Sequence, residues 1–235
     1  MPKVHVFPDL SLEAAFWSQG YARVSGIDEA GRGPWAGPVV AAAVVLPPTS
    51  AIAGRLAGVR DSKQLTPRQR ERLYPLIQEA AAAWGVGVAS AEEIDGLGIL
   101  PATRLAMERA VMALALPPQA LLIDAVRLPA LSLPQHSLFH GDALCLSIAA
   151  ASIIAKVTRD GLMVEMDALY PGYGFARHKG YGTRAHAQAL ESLGVCDTHR
   201  RSFAPIRRRL SLPQAEGSWA PAAGSGDGAT RGKDG

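Results

Sequence analysis

Two adjacent acids, Asp28 and Glu29, end a short apolar run, and two more lie at the ends of later apolar segments: Asp124 closes ALLID, and Asp142 follows the segment 136–140. Carboxylates drawn from several segment ends into one place would repel. Two like charges about 4 Å apart cost roughly 4 kcal/mol at an effective dielectric of 20. Such a cluster persists only if protons or cations relieve it. An all-oxygen donor set favours Mg2+ or Mn2+ over zinc. Two such ions about 3.5–4 Å apart form an arrangement that cleaves phosphodiesters, one activating water and the other steadying the leaving oxygen. Taken singly, Asp124 and Asp142 read as a helix cap or a turn acid; the chemistry needs the set.

Directly after the first pair comes Gly31-Arg32-Gly33. Glycine permits positive φ and lets a ligand approach bare backbone, and Arg32 can form charge-assisted bonds to phosphate. Side chains alternate along an ideal strand, so Asp28 and Glu29 would point to opposite faces. A shared site therefore requires the strand to end or twist there, and Gly31 is placed to allow it. The same spacing also suits a hairpin with two solvated acids at its turn, because turns are rich in glycine and acids. Lys63, Lys156, Lys179, Arg200 and Arg201 are candidate phosphate contacts, although such charges are more often solvated or structural. His136, His140, His178, His186 and His199 show no ligand spacing and are assigned to no metal.

The elements that must position these residues follow from period and punctuation. Residues 1–19 form a lead-in arm or short helix. Residues 21–28 and 37–46 are strands joined too tightly for a parallel crossover, so this pair is antiparallel. Thr66-Pro67 caps and opens a helix over 67–84 that Pro75 is expected to kink or split. A short strand at 84–89 and a helix ending at Leu116 follow. Residues 120–124 have the all-apolar character of a buried central strand, and 136–140 form another. The longest helical pattern is 147–169, apolar all round in its first half and therefore buried. A Gly/Tyr-rich loop at 171–182 precedes an amphipathic helix at 183–193 and a basic segment at 196–210. From residue 211 the composition collapses to Gly, Ala, Ser, Pro and charge, which reads as a disordered tail, 211–235. The order is an α/β pattern with helices covering a mixed sheet.

With 235 residues, 48% of them hydrophobic, the chain can bury one sizeable core, which excludes wholesale disorder. A net charge of +3 and a pI near 9.0 suit an anionic partner without demanding one. Cys145 and Cys196 are the only cysteines and lack metal-ligand spacing, as expected of reduced thiols. There is no signal-peptide pattern, and the longest apolar run is too short to span a bilayer. A cytoplasmic protein with no membrane association, working as a monomer, is expected.

Several motifs in one order resemble the ribonuclease HII family: GIDEAGRGPWAGPVVAAAV, DSKQLTPRQRERLY, EIDGLGILPATRLAMERAV, LLIDAVRLP, HGDALCLSIAAASIIAKVTRD, YPGYGFARHKGYGT and HRRSFAPIRRRL. The resemblance covers residues 20 to about 209. It implies a ribonuclease H-like α/β fold, a mixed sheet flanked by helices, as one catalytic domain over 20–210 with a small C-terminal helical part from about residue 170. It also implies endonucleolytic cleavage of RNA in RNA–DNA hybrids, and at single ribonucleotides in duplex DNA, leaving 3′-hydroxyl and 5′-phosphate ends. By the same resemblance Asp28, Glu29, Asp124 and Asp142 are the acids that hold Mg2+ or Mn2+. Gly31, Arg32 and Gly33 form the loop that reads the ribose 2′-hydroxyl, and Tyr181 packs against the junction nucleotide. Trp35 is bulkier than the pattern leads one to expect. Two other readings stand beside this one: a metal nuclease acting on DNA junctions, and a non-catalytic nucleic-acid-binding module with structural acids.

Overall fold

The computed structural model describes residues 7–211; the expected tail from 212 onward lies outside them. Five strands form one mixed sheet in the order β3-β2-β1-β4-β5: β1 Val24–Ala30, β2 Val39–Val45, β3 Ala83–Ala89, β4 Ala120–Asp124 and β5 Gln135–Leu138. The tight connection after β1 makes β1–β2 antiparallel, as does the β2–β3 pairing, while β1–β4 and β4–β5 are parallel. Every residue of β2 is buried, which its VVAAAVV sequence permits.

Helix α7, Leu146–Leu169, lies on one face of the sheet, and α5, Ile99–Met112, on the other. Alternate residues serve the two layers: Ile27, Ala43 and Ile123 pack with Ala106 and Met107 of α5, whereas Ala42 and Val44 pack with Ala150 and Ile153 of α7. Gly26 in β1 is where α7 comes closest, since a Cβ there would collide with the backbone of Ser147. The long helix is thus seated directly on the strand that carries Asp28 and Glu29.

The expected elements are found with shifted ends. Helix α3, Pro67–Ala80, starts with a Thr66/Gln69 capping box and runs unbroken through Pro75. Pro75 and Glu71, whose carbonyl loses its amide partner, both face solvent, so water can replace the missing bond. The expected strand at 136–140 is Gln135–Leu138, because the chain turns away at His140, which adopts φ 57°. Of the two expectations for the N-terminal segment, lead-in arm or short helix, a short helix is found: α1, Ser11–Trp17, is fastened to the body by buried Glu13, whose carboxylate accepts the Ser147 amide at 2.7 Å near the start of α7. The C-terminal part comprises α8 Phe175–His178, α9 Arg184–Leu193 and α10 Ala204–Leu210 around a small apolar cluster that includes Met163, Phe175 and Ile206. No helix among the described residues is long and apolar enough to cross a membrane.

Candidate active site

Strand register brings the acids together. Ile27 of β1 pairs with Ile123 of the parallel strand β4, so the next residues, Asp28 and Asp124, stand side by side at the same edge of the sheet. The chain leaving β5 turns through His140 into the four-residue helix α6, Gly141–Leu144, whose first turn carries Asp142. The Gly141 amide donates to Asp124 Oδ1 at 2.8 Å, tying this turn to the end of β4. Ala125 and His140, flanking this junction, are non-glycine residues with φ 57°, an uncommon backbone state that marks how sharply the chain reverses there.

The acids act on one another electrostatically. Asp28 is 3% exposed, and burial pushes its carboxyl well above the usual range, with Glu29, Asp124 and Asp142 adding repulsion. Glu29 is raised by burial and by Asp124, against the opposing pull of Arg32, whose Nη1 lies 3.4 Å from Glu29 Oε1. Glu29 Oε2 is buried without a hydrogen-bond partner among the described residues. Asp142 is pushed up to about 6, mainly by burial and then by Asp61, with Lys63 at 3.6 Å partly offsetting this. These are oxygen donors under strain from their own charge, and a hard divalent cation would relieve it. One oxygen each of Asp28 and Asp124 is engaged by backbone amides. Among the described residues no three His, Cys, Asp or Glu side chains are already closed around an ion position.

Asp61 was not singled out in the sequence. Its carboxylate accepts the Lys63 amide at 2.9 Å and so caps the short turn Ser62–Gln64. A turn acid is what any loop is expected to carry, so only the fold reveals that it also faces Asp142.

The loop after β1 is held from beneath by two buried arginines. Gly31 has φ 98°, and a Cβ there would collide with the Arg159 side chain, so only glycine fits. Arg159 donates to the Pro38 carbonyl at 2.9 Å and to the Lys179 carbonyl at 3.0 Å. Arg200 donates to the carbonyls of Gly31, Arg32 and Gly37 and is fully buried. As a candidate phosphate contact Arg200 is therefore corrected: it is a strut, and its donors are spent on backbone. Gly33 is open on its outer side, where a Cβ would stand 4.0 Å from the ring of Tyr181. Tyr181 is 45% exposed and so presents its ring beside the loop. Of the other candidate cations, Lys156 pairs with Asp160 at 2.7 Å, Lys179 bonds the Asp160 carbonyl, and Arg201 pairs with Asp197. Lys63 is 78% exposed at the acid cluster. His178, His186 and His199, unconnected by spacing, are packed together behind Tyr181.

A mixed sheet in this order, clad by helices and carrying acids where its parallel strands end, defines a ribonuclease H-like nuclease, an endoribonuclease of the phosphodiester hydrolase class. The chain belongs to the ribonuclease HII family, whose model matches residues 25–206. It is 58% identical to a ribonuclease HII of Chloroflexus aurantiacus over 212 residues, covering 89% of this chain and 100% of that one. Ribonuclease H2 from Pyrococcus horikoshii superimposes with a TM-score of 0.68 at 29% identity, over 80% of this chain and 96% of that one. A ribonuclease HIII solved in complex with Mn2+ (Bst-RNase HIII) gives 0.58 at 25% identity, over 81% of this chain and 70% of that one. Enzymes of this class depend on divalent metal.

Proposed function

We propose that this chain cleaves the RNA strand of RNA–DNA hybrids and incises duplex DNA at single embedded ribonucleotides, using Mg2+ or Mn2+ and leaving 3′-hydroxyl and 5′-phosphate ends. The observation that carries the reading is the meeting of two unlike features at one sheet edge. Carboxylates crowded by strand register adjoin a glycine-lined loop with an exposed tyrosine beside it.

In this reading Asp28, Glu29, Asp124 and Asp142 hold the ions, which when bound supply the Lewis acidity for displacing the 3′-oxygen from phosphorus by water. The remaining work belongs to side chains and backbone. Arg32 leans on Glu29 and is exposed enough to reach a phosphate oxygen. Lys63 offsets the charge of Asp142 and offers a second cation at the site mouth. Gly33, exposed on its outer side, leaves main-chain groups bare to meet a 2′-hydroxyl, the group that separates RNA from DNA locally, while Gly31, buried with its carbonyl held by Arg200, shapes the turn that presents them. Tyr181 supplies a flat apolar face for the same nucleotide. The two free cysteines support a reducing cytoplasmic setting, and we take the working unit to be a monomer. Membership of the ribonuclease HII family disfavours both the junction nuclease and the non-catalytic binding module.

The test is a duplex with one embedded ribonucleotide, incubated with Mg2+, with Mn2+ and with chelator, beside the same duplex in all-DNA form. Incision at the ribonucleotide in either metal and none elsewhere supports the reading. Cleavage of the all-DNA duplex at a comparable rate would overturn it.

A further inference from the structure

Behind Tyr181 three imidazoles lie packed with Phe175, and their hydrogen bonds leave each a single tautomer. His186 Nδ1 is 3.0 Å from the Tyr181 carbonyl oxygen, which can only accept, so Nδ1 carries the proton and Nε2 is bare. His199 Nδ1 lies 3.0 Å from the Cys196 amide, 3.1 Å from its thiol and 3.2 Å from its carbonyl oxygen, so the tautomer is set at the other ring nitrogen: bare His186 Nε2 needs a donor, which places the His199 proton on Nε2 and leaves Nδ1 to accept the amide. The two Nε2 atoms are 3.0 Å apart, His199 donating and His186 accepting. His178 stacks on His186 with ring centroids 4.5 Å apart, donates from Nε2 to the Tyr173 carbonyl and accepts the Gly180 amide on Nδ1. Burial holds both His186 and His199 down to about 4, so the pair is neutral at physiological pH.

The direction of this chain of bonds is what gives it meaning. It begins at the Cys196 amide, passes through His199 and His186, and ends on the main chain of Tyr181. The residue after His199 is Arg200, which clamps the carbonyls of Gly31 and Arg32. One short segment therefore grips both the glycine loop and the tyrosine beside it, through two buried side chains adjacent in sequence. A polar relay buried this completely is costly unless every member is satisfied, and here every nitrogen is.

We propose that His186 and His199 are positioning residues for ribonucleotide recognition, a neutral imidazole pair that fixes the Tyr181 backbone and so sets the ring at its place beside Gly33. This rests on the reading of Tyr181 as the residue that packs against the ribonucleotide.

The test is a mutant cycle in the full-length enzyme with Mn2+, measuring kcat/KM on the single-ribonucleotide duplex and Tm for every variant. His186→Leu removes the donor to Tyr181, His186→Asn restores a donor near the Nδ1 position, and Tyr181→Ala removes the ring. His186→Leu is expected to lower kcat/KM by roughly tenfold or more, as small misplacements of a positioned group do. His186→Asn should recover most of that loss. In the Tyr181→Ala background His186→Leu should cost less than about twofold further, because both changes act through the same ring. If the two losses multiply, or if Asn is no better than Leu at equal Tm, the positioning role is wrong while the Tyr181 reading stands. If Tyr181→Ala alone is without effect, the Tyr181 reading falls and takes the inference with it. Should His186→Leu fail to fold, His199→Leu against His199→Gln, which keeps a donor near Nε2, makes the same comparison from the other end of the pair.

Discussion

Arg200 donates from Nη1 to the Arg32 carbonyl at 2.9 Å and from Nη2 to the Gly31 carbonyl, from a position with no exposed surface. A guanidinium has five donors in a fixed fork and no acceptor, so a group of converging carbonyls is a natural buried partner for it. The loop beside the acids is thus shaped by a residue nearly 170 positions away in the chain.

Arg200→Met should destabilise the fold without acting as the loss of a phosphate contact. Leaving a buried carbonyl unpaired costs about 1–3 kcal/mol each, so a marked fall in Tm is expected. The salt dependence of hybrid binding should keep its slope, whereas losing one phosphate contact would lower it by roughly one unit. A reduced slope at unchanged Tm would return Arg200 to the substrate.

Asp28→Asn, Glu29→Gln and Asp124→Asn should each abolish most turnover while hybrid binding persists, since phosphate contacts supply most of the affinity. Asp142→Asn should also impair cleavage. Near-normal turnover in any of the first three, read by gel assay, would remove that residue from the metal site.

The pH dependence of Asp142 has a definite sign. Its folded value of about 6 lies above the ordinary 3.8. Between these values the native state keeps a proton that the unfolded chain has released, so this group's contribution to stability falls as pH rises through the window. Asp142→Asn lacks that loss. Under chelator, the variant should therefore gain on the wild type from about pH 4 to pH 6 and hold its lead above. His186 and His199, both lowered to about 4, push the opposite way as pH rises but are common to both proteins. Denaturant midpoints at several pH values check this; a constant or shrinking difference would show that Asp142 is not crowded.

Tyr181→Ala should weaken cleavage at a single embedded ribonucleotide by roughly tenfold to a hundredfold, the equivalent of losing a stacked aromatic contact. Tyr181→Phe should cost less, and Tm should hold in both because the ring is half exposed. A destabilised Ala variant with the same fractional loss on an all-RNA hybrid would make Tyr181 a packing residue.

The meeting of Asp28 and Asp124 was legible because residues at the ends of short apolar runs become neighbours wherever those runs pair in parallel, as β1 and β4 do. Gly31 was legible for a related reason: its role is local, and only glycine takes that backbone. Asp61, Arg159 and the three histidines were not. Asp61 looks like any turn acid until the fold sets it against Asp142. Arg200 sits in a basic run with Arg201 and Arg207, and nothing in such a run tells a buried strut from a solvated charge. His178, His186 and His199 meet only because α8, α9 and the segment after them fold back on one another, and Glu13 reaches the start of α7 across 134 positions. Local pattern cannot carry contacts of that range.

We propose that Asp28, Glu29, Asp124 and Asp142 form one divalent-metal site whose crowding the metal relieves. Thermal unfolding of wild type and Asp28→Asn, each in chelator and in millimolar Mn2+, checks this. In chelator Asp28→Asn should melt higher than wild type, since it removes a buried charge from a repelling cluster, each kcal/mol relieved being worth about 2–4 °C in a chain of this size. Added Mn2+ should raise the wild-type Tm, because ions bind the native cluster and not the unfolded chain, and should raise that of the variant much less. Equal metal-induced shifts in the two proteins, or no shift in wild type, would contradict the claim.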